Sequence, residues 1–437
     1  VGVTICATAA ERVEQVSTQT EFSQQAAGPS SSVDIEAALA RVDAARSRSD
    51  ADPLALEDAL TALGDAFFYA GQYATAEPAY AEALQLAEQH SGAGSDRLLA
   101  PLLGLGSALA GSGRHEEAVP SLQRAVAITR ARYGLFDPRQ QGALRTLAVS
   151  LTAVGRVPEA QDLMIYRARA AEKTYGAGSP EVVPSLCDLG DWFADVGMSL
   201  EARMAFNIAL NIVGSRLSPN DPAIVEPLRG IARTRMRAQS YPESPLRPHE
   251  SSAIRFNTMG IPMLGPRELN REGEDALQRA LAILEADPRA STQTRIETMI
   301  QMGDWYQIKK APHEALPYYQ RAWQLIHAVP SPSFPAATAL DFPVRVSYPT
   351  PVIVANFPSL PPEEIRLHHV QIEFTVAADG SVTDARVVNH DTRDRYAGDV
   401  LDAMRAARFR PKFVDGEAVA TPGMVYREVF RTARPRS

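Results

Sequence analysis

The chain has 437 residues, 45% of them hydrophobic and 22% charged, with a net charge of −8 and a pI near 5.6. The acidic balance argues against nucleic-acid binding, and two cysteines, Cys6 and Cys187, are too few for a disulfide framework. No run of 18 or more apolar residues occurs, so no segment reads as a transmembrane helix. The length leaves room for two or three domains.

Residues 1–10 (VGVTICATAA) are small and apolar, and Ala7-Thr8-Ala9 has the A-x-A form of a signal-peptidase site. They read as the end of a secretory signal. A lipid anchor through Cys6, for which Val3-Thr4-Ile5 is a poor lipobox, and a start of no meaning are the alternatives. A Gln-, Ser- and Thr-rich stretch comes next and ends in Gly28-Pro29-Ser30-Ser31-Ser32, so residues 1–32 are expected to be a signal remnant and flexible tether. Residues 33–53 are expected to hold one short helix, capped by Ser32 or Asp34, covering the exposed first face of a helical array.

A repeat then dominates. Gly71, Gly113, Gly155 and Gly197 are spaced by 42 residues, as are Leu63, Leu105, Leu147 and Leu189, and Ala76, Ala118, Ala160 and Ala202. A fixed period of this size means stacked helical hairpins. Each unit reads helix, glycine turn, helix, longer turn. Asp137-Pro138, Ser179-Pro180 and Asp221-Pro222 start the next helix by capping it and fixing its first φ. Small and large positions recur in register: Leu63-Gly64, Ala76, Tyr80 and Ala83; Leu189-Gly190, Ala202, Phe206 and Ala209; Met302-Gly303, Ala315, Tyr319 and Ala322. Glycine and alanine let helices approach closely while the larger residues fill the gaps. This pattern resembles the tetratricopeptide (TPR) repeat, in its kinesin-light-chain-like variety. The solenoid is expected over 54–329 with about six hairpins.

The fifth unit is interrupted. The Asp275–Leu281 pattern arrives 29 residues late, behind an insert at about 243–272 that carries Pro245, Pro248, Pro262 and Pro266 among Ile254, Phe256, Met259 and Leu264. A loop of this length is either functional, here packing on or over a groove, or a disordered surface excursion. Nine prolines fall between Pro330 and Pro362, so 330–362 reads as an extended linker.

Beyond it the periodicity becomes two. Val370, Ile372, Phe374 and Val376 alternate with polar residues and run into the tight turn Asp379-Gly380, then a return strand, a helix near 396–408 and a last strand near 424–431. This ββαβ order over 363–437 resembles the C-terminal domain of TonB-family proteins. The residues that carry the likeness are Tyr348-Pro349, Asp379-Gly380-x-Val382, Leu401-Asp402-Ala403, Arg408-Phe409-x-Pro411, Gly416, Val419 and Phe430. The overall expectation is a mainly α protein, a TPR α-solenoid joined to a small α+β domain.

Little in the chain points to chemistry. His115-Glu116-Glu117 and His313-Glu314 lack a second histidine one turn on, since positions 119 and 317 are Val and Pro. His368 and His369 are adjacent on a strand and face opposite ways. Cys187 has no histidine near it in sequence, and no P-loop, GxSxG or dinucleotide motif occurs. The chain is read as no enzyme, with no cofactor, metal, nucleic acid or small-molecule substrate expected.

The resemblances imply binding instead. In a TPR array first helices line the concave face, which places Asp65, Ser107, Val149, Asp191, Arg233 and Asp304 at one groove site and Thr61, Leu103, Arg145, Cys187, Arg229 and Ile300 at another. The charged members, Asp65, Arg145, Asp191, Arg229, Arg233 and Asp304, are the candidate groove contacts. The mixture lacks the Lys and Asn set of a C-terminal carboxylate clamp. The cluster Arg405, Arg408, Arg410 and Lys412 could meet an acidic surface or simply be solvated. The TonB resemblance implies that the final strand accepts an extended segment through Tyr426, Arg427, Glu428 and Val429 by strand addition.

The expected function is a non-enzymatic adaptor of the bacterial cell envelope that holds one protein in the groove and another on the edge strand. The alternative is an atypical TonB-type energy transducer for outer-membrane transport. The expected partners are proteins or peptides, including an outer-membrane receptor segment. The expected location is periplasmic, with membrane association through a missing N-terminal segment as a variant.

Overall fold

The computed structural model describes residues 32–47, 52–218, 220–240, 266–329, 335–349, 351 and 365–433. The readings made for residues 1–31, for most of the insert and for 352–364 lie outside the described residues. The N-terminal region is mainly helical, with helices paired and stacked, and a small strand-containing region comes after it. The chain divides into two units, one ending at Ser185 and one running from Leu186 to Ser437.

The first unit opens with α1 (Ser32–Ser47), then the pairs α2 (Pro53–Tyr69) with α3 (Tyr73–Ser91), α4 (Leu99–Gly111) with α5 (His115–Tyr133), and α6 (Gln140–Ala153) with α7 (Val157–Tyr175). Asp52 caps α2, its carboxylate accepting from the Leu54 N–H at 3.0 Å, with Pro53 as the first helical residue. Ala38 and Val42 of α1 pack on Ala59, Leu60 and Leu63 of α2 and Ala83 of α3, which removes the apolar face of the first hairpin from water.

Every glycine of the 42-residue series has a left-handed φ: 73° at Gly71, 76° at Gly113, 80° at Gly155 and 83° at Gly197. The Gly71 N–H donates to Phe68 O and the Gln72 N–H to Phe67 O, both at 2.9 Å, which closes the first helix of the hairpin and turns the chain. In the last hairpin Lys310 takes this place with φ 57°, and it keeps the same bonds, from its N–H to Gln307 O and from the Ala311 N–H to Tyr306 O. A side chain is strained there. Lys310→Gly is expected to raise stability by about 1 kcal/mol in urea unfolding, and an unchanged or lower midpoint would show that the turn carries no strain.

Close helix approach explains the other recurrent glycines. Tyr80 is 1% exposed. A Cβ placed on Gly64 would stand 2.6 Å from its ring, and one on Gly104 of the next hairpin 2.2 Å. The ring therefore fills the space left by two missing side chains.

The second unit continues with α8 (Val183–Asp195), α9 (Ser199–Arg216), α10 (Val225–Ser240), α11 (Pro266–Ala286), α12 (Thr292–Ile308) and α13 (Pro312–Ala328). The same rule recurs at Phe206, boxed between Gly190 and Gly230, and at Tyr319, laid against Gly303.

The strand-containing region holds β1 (Val344–Ser347), β2 (Ile365–Val376), β3 (Val382–His390), α14 (Asp394–Ala406), β4 (Arg408–Arg410), β5 (Lys412–Val414), β6 (Glu417–Val419) and β7 (Thr421–Ala433). Three strands form an antiparallel sheet in the order β3-β2-β7, while β1 pairs with β4 and β5 with β6. Val370, Ile372, Phe374 and Val376 turn inward with Phe430, and α14 covers them with Ala397, Val400 and Met404. Within the Pro-rich stretch, residues 335–338 form a 3-10 turn and 344–347 form β1, with Leu340 and Tyr348 buried. Leu340 and Phe413 share one core with Ile296, Ile300, Tyr319 and Ile326 of α12 and α13. The last hairpin and the strand region are therefore fused by a common apolar core.

The two motifs behind the TonB resemblance meet in space. Gly380 has φ 81°, and a Cβ on it would lie 2.1 Å from Phe409 O. The Phe409 N–H donates to Gly380 O at 2.9 Å. Asp379 accepts through one carboxylate oxygen from the Ser381 N–H at 2.9 Å and the Ser381 hydroxyl at 2.6 Å. Burial raises the Asp379 pKa, but the Ser381 hydroxyl and N–H more than offset this and hold it below the ordinary value. Asp379→Ala should cost about 1 kcal/mol near neutral pH. A depressed folded pKa stabilises above the unfolded value, so the cost should fade as pH falls below about 4 and through the lowered folded pKa. Urea midpoints of both proteins measured across acid pH check this, and a pH-independent difference would refute it.

Candidate protein-binding surfaces

The groove candidates have different surroundings in the two units. In the first unit Thr61, Leu103, Ser107, Arg145 and Val149 are half-buried and Asp65 is exposed. One Asp65 carboxylate oxygen accepts from the Tyr80 hydroxyl at 2.7 Å. Burial around the carboxyl raises its pKa, and the tyrosine bond opposes this without cancelling it.

In the second unit the charged candidates are engaged by their own chain. Arg233 grips both oxygens of Asp191, at 2.7 and 2.8 Å, and also donates to Glu226 at 2.7 Å. Burial works against the Arg233 charge, but these two carboxylates outweigh it and raise its pKa. Arg229 is buried and reaches Glu226 at 3.0 Å and Glu297 at 2.9 Å. Cys187 is buried nearby, and burial pushes its thiol pKa well up.

Asp304 is buried and accepts three hydrogen bonds from two side chains. Arg410 of β4 donates to both its oxygens, at 2.6 and 2.9 Å, and the Tyr319 hydroxyl donates at 2.8 Å. Arg410 also donates to Ala339 O at 3.0 Å, and Gln307 Nε2 donates to Asp379 O at 2.9 Å. Ile300, the other groove position of α12, lies under Phe413 and Leu340. The strand region thus seats itself on Asp304 and Ile300, the two candidate positions of the last hairpin. Of the basic cluster 405–412, Arg410 meets Asp304 and Arg405 meets Asp402, at 3.2 Å, within the same chain.

The final strand lies at the sheet edge. β7 pairs with β2 on one side, and among the described residues no strand pairs with its other side. Pro422 and Gly423, the latter with φ 71°, interrupt its start, as suits an edge. The four candidate side chains alternate. Arg427 and Val429 are exposed on the outer face, whereas Tyr426 and Glu428 turn toward the helix side. The Tyr348 and Tyr426 hydroxyls both donate to Glu428, at 3.0 and 2.6 Å, and the Arg345 guanidinium lies 4.7 Å from the Tyr426 ring centre. Val425 and Val429 are 56% and 53% exposed on the outer face. Sequence reasoning missed Arg345, Tyr348 and Glu226 as parts of these surfaces, because no spacing ties them to their partners. Among the described residues no group of three or more His, Cys, Asp or Glu could hold a metal ion.

The tetratricopeptide repeat family model matches residues 56–131, and the model of the Gram-negative bacterial TonB protein C-terminal domain matches residues 367–427. No curated protein matches the chain. Among solved structures it is similar to a Podosopora anserina putative kinesin light chain with nearly identical TPR-like repeats, at 19% identity over 55% of this chain and 99% of that one, with a TM-score of 0.42. It is also similar to BtubC from P. vanneervenii, at 17% identity over 69% and 94% of the two chains with a TM-score of 0.36. The apo form of RapI is similar at 12% identity over 68% and 93%, with a TM-score of 0.42. Both matched families are characteristically non-enzymatic. The chain carries an N-terminal TPR-like repeat region and a C-terminal TonB C-terminal-like domain.

Proposed function

We propose that the chain is a non-enzymatic adaptor of the bacterial cell envelope. An array of about six helical hairpins would bind one protein partner in its groove, and a ββαβ TonB-like unit would bind a second by strand addition. Protein–protein interaction is the general role of both folds. The observation that carries the reading is the edge position of β7, with Val425, Arg427 and Val429 exposed along it. The half-buried Thr61, Leu103, Ser107 and Arg145 and the exposed Asp65 support a separate groove site. TonB C-terminal domains are characteristically periplasmic in Gram-negative bacteria, which supports a periplasmic location.

A photoreactive benzoylphenylalanine at Val429 and, separately, at Leu103 of the full chain tests the proposal in cells. Two different captured proteins are expected. The same protein at both sites, or none, would remove the adaptor reading. The second reading, an atypical TonB-type energy transducer, draws on the match over 367–427. It requires that the Val429 probe capture an outer-membrane receptor segment and that the yield collapse when the proton-motive force is dissipated.

A further inference from the structure

Three aspartates occupy one register position of the groove-lining helices, each directly after a glycine: Gly64-Asp65, Gly190-Asp191 and Gly303-Asp304. Two of them hold a guanidinium through both carboxylate oxygens. Asp191 holds Arg233, and Asp304 holds Arg410. Asp65 reproduces the Asp304 arrangement. In both cases a buried tyrosine 15 residues on, Tyr80 or Tyr319, donates its hydroxyl to the same carboxylate oxygen, at 2.7 and 2.8 Å. Both rings are fixed against the preceding glycine, Gly64 or Gly303. The hydroxyl bond holds the carboxylate in one orientation, and that orientation already receives Arg410 in the last hairpin.

What differs at Asp65 is the cation. Position 233, which serves Asp191 from the next hairpin, corresponds to Ser107 beside Asp65. Among the described residues Asp65 pairs with no cation, and its carboxylate is exposed. The surroundings raise the cost of its charge, as the direction of its pKa shows. Tyr69, one turn along the same helix, is an aromatic ring that is 50% exposed.

We propose that Asp65 and Tyr80 form a receptor for the guanidinium of an arginine on a partner protein, the external counterpart of the Asp304–Arg410 contact. The inference deepens the groove reading above and rests on it. Arginine rather than lysine is specified because both internal examples are two-pronged, a geometry that an ammonium does not reproduce.

The test selects a random 12-residue phage-displayed peptide library on the full chain, then measures synthetic peptides by fluorescence anisotropy against the parent, Asp65→Asn and Leu103→Asp. Asparagine keeps an acceptor for the Tyr80 hydroxyl and removes only the charge, so the melting curve should not move. The expected result is a shared arginine in the selected peptides, with affinity falling about tenfold on Arg→Lys in the peptide and about tenfold with Asp65→Asn. Peptides that are lost with Leu103→Asp but indifferent to Asp65→Asn would overturn the arginine receptor and leave the groove reading standing. Peptides indifferent to both changes, or no selected peptide, would overturn the groove reading and this inference with it. Self-association of the full chain that Asp65→Asn abolishes would identify a second copy as the occupant and overturn the assignment to a partner.

Discussion

Replacing Arg410 with alanine should destabilise the second unit by about 3–5 kcal/mol. The side chains of Arg410 and Asp304 are only 12% and 11% exposed. Removing the guanidinium strands a carboxylate among Tyr319, Ile300 and Phe413, with a single hydroxyl left to satisfy it. The large cost would belong to the unpaired charge and not to the worth of the pair. The triple change Asp304→Leu, Arg410→Met, Tyr319→Phe removes the charges and the hydroxyl together and should return to within about 1 kcal/mol of the parent or exceed it. Urea unfolding monitored by tryptophan fluorescence reads the contact directly, because Trp305 is buried in α12 and Trp323 lies against Gly416. If Arg410→Ala shifts the unfolding free energy by less than about 1 kcal/mol, the pair is not the anchor that its burial implies.

Gly230→Ala is the second large effect. In an open helix this change would gain about 0.5–1 kcal/mol from backbone entropy. Here the new methyl would stand 2.1 Å from the Phe206 ring, which is fully buried and backed on its other side by Gly190. A fully buried ring yields only by displacing its neighbours, so a net loss of about 2–3 kcal/mol is expected. Phe206→Leu added to Gly230→Ala should recover most of that loss. The second hairpin supplies the precedent: Leu122 stands at the ring position there, and position 146, the equivalent of Gly230, is threonine. Thermal midpoints of the parent, the two single variants and the pair form a cycle that isolates the contact. Additive losses in that cycle would show that ring and glycine do not oppose each other.

Much of the array could be read from the amino-acid order because its determinants are local. A glycine that ends a helix, an aspartate that caps one and an alanine facing a ring each act within a few residues or within one repeat. The Asp379-Gly380 turn and the alternation from Val370 to Val376 are legible for the same reason. The partners of the candidate groove residues were not. Asp65, Asp191 and Asp304 share one column, yet their partners lie 15, 42 and 106 residues further on, and only the folded chain decides which partner arrives. The short strands β1, β4, β5 and β6 have three or four residues each, too few for a period of two to show. β1 and β4 also lie beside prolines at 343, 349 and 411, which favour reading their surroundings as linker or break.

The glycine boxes around Tyr80 and Phe206 also bear on how such an array can change over generations. The space for Tyr80 is specified half by its own hairpin, through Gly64, and half by the next, through Gly104. A block of 42 residues cut out between them, such as 85–126, would keep the helical phase and yet bring Thr146 to the place of Gly104. Whole repeats are therefore not interchangeable parts. Duplication or loss is tolerated only where the joint carries a matching pair of sizes, so the natural heritable unit runs from the middle of one hairpin to the middle of the next.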